Sequence, residues 1–393
     1  MRRKSRRWRR RVPEDRNSLR KTWDAESEPQ LEGDESVEWG GQSIWAVGFT
    51  PGGAPYGLTI DEYRESSAEY ARYRGADWAE VKRLLGEVLA RKADRAVEID
   101  IGWVRYLDRG LCRKAFTAEV EVAPDPSGLS GTYVILLPLP DAEPSFDARA
   151  RFEARLLAHL ATLDLPLRIP RILGLLSCDG RPATVETLVH GIPLDLRAGR
   201  QPGVRPWDVV AQVAATVHAL DVDALFLPGG PIGEIPDSST RREYALAQLS
   251  ILEGRPEPLL QDVHAWALEH LPPTERSVLV HGDLLGQNIL LAPRELPGLI
   301  DWEYARLGDP AYDLAIVTRG ARRPFQLADG LDRLLDAYAA RSWEVRKEHV
   351  RLYELCLLAR GYLEALEGGV RTHPPEVMLD RLRGAFRRVT ERG

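Results

Sequence analysis

Two neighbouring stretches constrain this chain more than any other part of it: Val278–Leu291, VLVHGDLLGQNILL, and Leu299–Leu314, LIDWEYARLGDPAYDL. In the first, the apolar run Val278–Leu279–Val280 ends in His281, Gly282 and Asp283, and Asn288 precedes a second apolar run, Ile289–Leu291. In the second, Leu299–Ile300 carries Asp301 out of an apolar run. Short apolar runs bounded by glycine and polar residues read as buried strands. An isolated H-G-D is equally compatible with a capped turn over a core histidine. Flanking strands, an asparagine five residues on and an aspartate leaving the next strand together argue for one shared cavity.

That spacing has a chemical meaning. Transfer of a terminal phosphoryl group asks little covalent help of a protein; it asks for charge neutralisation and a hydroxyl held in line beside a carboxylate. Asp283 is placed to orient or deprotonate the hydroxyl. Asn288 offers an amide oxygen and Asp301 a carboxylate, the hard oxygen donors that Mg²⁺ prefers while it keeps waters and phosphates as its other ligands. The H-x-D-x-x-x-x-N spacing is that of the catalytic loop of protein kinases. Asp309 and Asp313, one helical turn apart, read as helix caps and loop anchors rather than phosphate ligands. His218, on the stripe Val213–Leu220, reads as a core histidine, and His281 as a brace for its loop.

Length and charge set the surroundings. At 393 residues the chain exceeds what one core usually supports, so two or three domains are expected. A net charge of −6 argues against a chain built as a whole to coat nucleic acid. Cys112, Cys178 and Cys356 are scattered and odd in number, which suits a reducing compartment. No apolar run reaches about 18 residues, and the start MRRKSRRWRRR lacks the apolar region of a signal peptide, so a cytoplasmic protein without membrane contact is expected.

Residues 1–38 run from a basic block into an acidic one and read as a disordered tail, with a nucleic-acid or acidic-membrane anchor as the sharper alternative. Residues 39–95 read as an aromatic-rich helical extension: an irregular Gly/Pro loop over Trp39–Gly57, then helices opened by Thr59 with Glu62 and by Asp77 with Glu80. From Val97 the period falls to two, and residues 96–190 read as strand, strand, strand, helix, strand, strand. Residues 191–393 are helical apart from the two opening stretches.

With H-G-D-x-x-x-x-N over His281–Asn288, I-D-W-E over Ile300–Glu303 and G-D-P-x-x-D-L-A over Gly308–Ala315, the chain resembles the aminoglycoside phosphotransferase/choline kinase-like family from about Ile101 to Arg360. The resemblance implies an α+β, protein-kinase-like fold of two lobes, a small antiparallel sheet followed by a larger helical lobe. It implies ATP and Mg²⁺ as partners and a small-molecule hydroxyl as acceptor, with Asp283 as catalytic base and Asn288 and Asp301 as metal ligands. Thr187, Leu188 and Val189 resemble the hinge that binds adenine, and Glu153 resembles the glutamate of the small lobe's helix. That glutamate normally pairs with a strand lysine, yet the matching strand, Tyr133–Pro138, has neither Lys nor Arg. Arg113, Lys114, Arg151 and Arg155 are the candidates to replace it. A nucleotide-binding protein without turnover is therefore the competing expectation. Acidic positions such as Glu303 would suit a cationic acceptor.

Overall fold

A computed structural model describes residues 36–39, 42–49, 55–59, 77–93, 97–109, 113–125, 127–226, 240–367 and 373–391; of residues 36–59, 103, 108 and 109 it describes the backbone alone. It divides into two compact units, Met1–Gly75 and Ala76–Gly393. The charged tail, apart from Ser36–Glu38, lies outside the described residues, as does the helix expected to open at Thr59, beyond Thr59 itself.

In the first unit, β1 (Ser36–Trp39), β2 (Gln42–Phe49) and β3 (Pro55–Thr59) form an antiparallel sheet in the order β1-β2-β3. The irregular loop expected over Trp39–Gly57 is thus corrected to strands. The signal was present: Trp39 pairs with Gln42 across a Gly-Gly dipeptide, the composition of a two-residue hairpin turn, and Ile44, Trp45, Val47 and Phe49 are good strand formers.

The second unit opens with α1 (residues 77–92) and a five-stranded antiparallel sheet made of β4 (Glu98–Arg109), β5 (Arg113–Ala123), β6 (Gly131–Pro138), β7 (Ile172–Cys178) and β8 (Arg181–Thr187), in the order β4-β5-β6-β8-β7. Strand alternation divides the sheet into two faces. Phe116, Ala118 and Val120 of β5, Ile135 of β6 and Val185 of β8 pack with Val81, Leu84, Leu85 and Val88 of α1. The apolar stripe of α1 therefore completes the core of this sheet.

The other face is turned toward the polar loops of the helical lobe, where Arg113 reaches Glu303, and the space between sheet and loops is the cleft. Register sets Arg113 opposite Pro138, Ala115 opposite Leu136, and Thr117 opposite Val134; Leu136 and Val134 in turn face Thr184 and Glu186 of β8. Helix α2 (Ser145–Leu160) lies between β6 and β7 in the chain and buries Leu156, Leu157 and Leu160 in the larger core, with Glu153 also buried.

Beyond Gly191 the chain is mainly helical. Helices α3 (Pro206–His218) and α4 (Val222–Phe226) come first, then α5 (Arg241–Leu249) and α6 (Pro258–Glu269). After residues 278–308 follow α7 (Pro310–Thr318), α8 (Gly330–Ala339), α9 (Lys347–Leu366) and α10 (Pro375–Thr390). Among them, β10 (Val278–Val280) pairs antiparallel with β13 (Arg306–Gly308). β11 (Ile289–Leu291) lies between β12 (Gly298–Leu299) and β9 (Ile192–Pro193). These small ladders fix the loops that carry the polar motifs. No helix among the described residues is long and apolar enough to cross a membrane.

Candidate active site

The loop after β10 is held from below by one buried carboxylate. Asp313 of α7 accepts the backbone N–H groups of His281 at 2.7 Å and Gly282 at 2.8 Å, and its Oδ2 lies 3.1 Å from His218 Nε2. The His218 ring meets the Tyr338 hydroxyl on its other side at 2.8 Å. Burial would raise the Asp313 carboxyl, but the His218 hydrogen bond and its nearby charge hold it below the usual range. Asp309 caps α7 by accepting from Ala311 N–H at 2.8 Å. Both aspartates thus act as the anchors that their spacing suggested.

Gly282 adopts φ +79°, and a Cβ there would collide with the Tyr304 carbonyl, so the tight approach of these loops requires glycine. His281 is fully buried, its Nε2 3.1 Å from the Ile300 carbonyl and its ring edge-on to Trp302 at 4.9 Å. Burial pushes this imidazole down, so it braces the loop as a neutral ring.

The same bonds bring the two motifs together. Asn288 closes the short turn Gly286–Asn288; its amide nitrogen donates to the Asp283 carbonyl at 2.8 Å and to Asp283 Oδ2 at 3.0 Å. With that nitrogen committed, the amide oxygen is the atom Asn288 has to offer a metal. Ile300 N–H donates to the Asn288 carbonyl at 3.0 Å, which sets Asp301 beside both residues. Asp301 sits at φ +68°, a left-handed conformation that a non-glycine residue holds only when its surroundings enforce it.

Electrostatics mark this cleft. Burial raises Asp283, with Arg319 (3.9 Å from Oδ1) and His281 opposing. Enclosure by protein pushes Asp301 up to about 7, with Glu303 and Glu153 adding to it, although the side chain is open to the cleft and water screens part of the effect. Burial and then Glu153 push Glu186, on the cleft face of β8, up to about 8. Glu186 was not singled out from the sequence; an acid inside the strand-like stretch P-A-T-V-E-T was the available signal.

Glu153 does meet a cation, and it comes from the second strand of the sheet. Arg113 Nη1 lies 2.6 Å from Glu153 Oε2, and Arg113 Nη2 lies 3.2 Å from Glu303 Oε2. Glu303, which suggested itself for a cationic acceptor, is thereby committed to Arg113. Lys114 turns to the opposite face and binds Asp77 at 2.8 Å, while Arg151 and Arg155 are exposed. At the expected hinge, Thr187 N–H donates to the Arg171 carbonyl at 3.0 Å and Leu188 N–H to the Thr132 carbonyl at 3.2 Å.

Among the described residues, no three His, Cys, Asp or Glu side chains converge to hold a metal by themselves. One amide oxygen and one carboxylate fit an ion that also takes phosphate oxygens, as Mg²⁺ does.

A small antiparallel sheet over a helical lobe, with these polar loops between them, defines a two-lobed kinase-like fold. Residues 124–349 match the family model of the Phosphotransferase enzyme family, and the chain belongs to that family. It is 32% identical over 179 residues to viomycin phosphotransferase of Streptomyces vinaceus, covering 42% of this chain and 60% of that protein. It is 29% identical over 176 residues to acyl-CoA dehydrogenase family member 10 of Mus musculus, covering 42% of this chain and 16% of that protein. The chain thus spans less than two thirds of either relative. Among solved structures, macrolide 2'-phosphotransferase MphH from Brachybacterium faecium superposes with a TM-score of 0.51 at 24% identity, over 78% of this chain and 96% of that one. The GDP complex of aminoglycoside 2'-phosphotransferase-IIIa gives 0.53 at 19%, over 73% and 93%. These likenesses establish the shared fold.

Proposed function

We propose that the protein transfers the γ-phosphoryl group of ATP to a hydroxyl of a small molecule. The observation that carries this reading is the Asp283–Asn288–Asp301 set, stitched together through Ile300 and backed by Asp313. Asp283 accepts the acceptor hydroxyl's hydrogen bond and takes its proton as the oxygen attacks. Asn288 and Asp301 would hold Mg²⁺, which when bound neutralises charge on the phosphates. The adenine edge would lie along Thr187–Val189; with the Thr187 and Leu188 N–H groups engaged, Val189 N–H and the hinge carbonyls are the groups left for it. Kinase relatives whose names specify viomycin, macrolides and aminoglycosides make polyhydroxylated antibiotics the first acceptors to try.

The full chain with ATP and Mg²⁺ should be assayed against a panel of such antibiotics and hydroxylated metabolites, with product mass as the readout. A mass gain of one phosphoryl group on an acceptor is the expected result. Thermal stabilisation by ATP and Mg²⁺ with no phosphorylated product across the panel would favour binding without turnover instead.

A further inference from the structure

We infer that Arg113 is the cation that grips the nucleotide's phosphates in this chain, held in place by Glu153 as its positioning residue. The inference rests on the phosphotransferase reading above. Three observations carry it.

The first is placement. Strand parity puts Arg113 on the cleft face of β5, beside Pro138 of β6, at the end of the sheet nearest the metal-loop residue Glu303. Leu136, two residues back on β6 and also on the cleft face, is where a third-strand cation would have to stand. The second is elimination. Lys114, one residue on, necessarily faces the α1 side and is bound to Asp77, while Arg151 and Arg155 lie exposed on α2.

The third is the state of the guanidinium. Its Nη1 lies 2.6 Å from Glu153 Oε2, both atoms shut off from solvent, so Glu153 pins one end of the fork and the remaining N–H groups are the ones left to meet a ligand. A guanidinium has five N–H donors in a rigid fork suited to phosphate, and single-oxygen contacts with Glu153 and Glu303 leave donors to spare. Because Glu153 belongs to the small lobe and Glu303 to the helical one, phosphate bound by Arg113 is also registered between the lobes.

The test uses the full chain as wild type, Arg113→Met, Arg113→Gln and the double variant Arg113→Met/Leu136→Lys. Calorimetric affinity for AMP-PNP with Mg²⁺, KM for ATP, kcat and the unfolding midpoint are measured on each. Losing one charge-assisted contact should weaken nucleotide binding and raise KM for ATP roughly ten- to a hundred-fold. Lysine at position 136 should recover part of that loss. Arg113→Gln keeps donors for Glu153 without the charge and gives the same reading should the methionine variant not fold. A purely structural role lowers the unfolding midpoint and the active fraction, hence kcat, and leaves KM and AMP-PNP affinity within twofold; that result overturns the assignment. Wild type that binds no nucleotide would instead overturn the phosphotransferase reading beneath it.

Discussion

Replacing Asp313 with alanine should cost both stability and activity, and the size of the loss follows from its contacts. The carboxylate is fully buried and accepts from His281 N–H, Gly282 N–H and the His218 ring. Alanine leaves those donors facing apolar surroundings, and each unsatisfied buried donor costs about 1–3 kcal/mol. Breaking a buried charged network costs about 3–5 kcal/mol as a whole. Because the donors share one site and relax together, we expect roughly 4 kcal/mol, at the upper end of what single substitutions do. Urea unfolding at pH 7 measures it, alongside the rate of phosphoryl transfer, which should fall because Gly282 is adjacent to Asp283. Asparagine keeps one acceptor oxygen but turns an N–H₂ toward another donor, so its loss should lie between those of wild type and alanine. The contribution has a defined pH window: with its pKa depressed, the carboxylate's stabilisation is present above the unfolded value of 3.8 and is lost as pH falls through the folded value. An Asp313→Ala protein within about 1 kcal/mol of wild type and fully active would refute this account of how the loop is held.

Asp283→Asn should lower turnover by at least about a hundredfold, the low end for a general base, with the urea midpoint barely moved. Gly282→Ala should destabilise by about 2 kcal/mol or more, from the left-handed backbone together with the collision at the Tyr304 carbonyl, as read by thermal unfolding. His349 is buried, and burial followed by Arg346 pushes its imidazole down to about 4. The unfolded chain then binds a proton below pH 6.5 that the folded chain does not, so stability falls as pH drops from 6.5 toward 4, by up to about 3 kcal/mol from this group. His349→Gln should flatten the unfolding free energy over that interval; parallel curves for the two proteins would show that another group titrates.

The polar motifs were legible because their signals are local. Val278–Val280 and Ile289–Leu291 are the strands that their apolar runs indicate, and the spacing of Asp283, Asn288 and Asp301 survives folding because turns of a few residues connect them. What required coordinates is non-local. His218 reads as a core histidine from its helix stripe, but nothing in the sequence ties it to Asp313, 95 positions away. Arg113 and Lys114 are neighbours of like charge, and only the cross-strand register decides which one enters the cleft. Helix α1 reads as amphipathic, yet the surface it covers is a sheet built from residues 98–187, so its place in that core could not be seen from its own pattern. The β1–β2 hairpin is a different case: its Gly-Gly signal is local and was outweighed by the surrounding glycines and prolines.

Charge explains why such a cleft would need a metal together with a nucleotide. Glu153, Glu186, Asp283, Asp301 and Glu303 face Arg113 and the more exposed Arg319, and burial, with the neighbouring acids adding to it, raises the Glu186 and Asp301 carboxyls. A bare triphosphate entering this field would add negative charge to an acidic surface, and Arg113 is already flanked by two carboxylates. Paired with a divalent cation, proposed for the Asn288–Asp301 end, the same triphosphate would bring its own compensation, and Arg113 would need only to orient it. ATP offered with a chelator should therefore bind far more weakly than ATP with Mg²⁺ in the same calorimeter. Equal affinities would mean that the acids are neutralised within the protein and that the field described here does not govern binding.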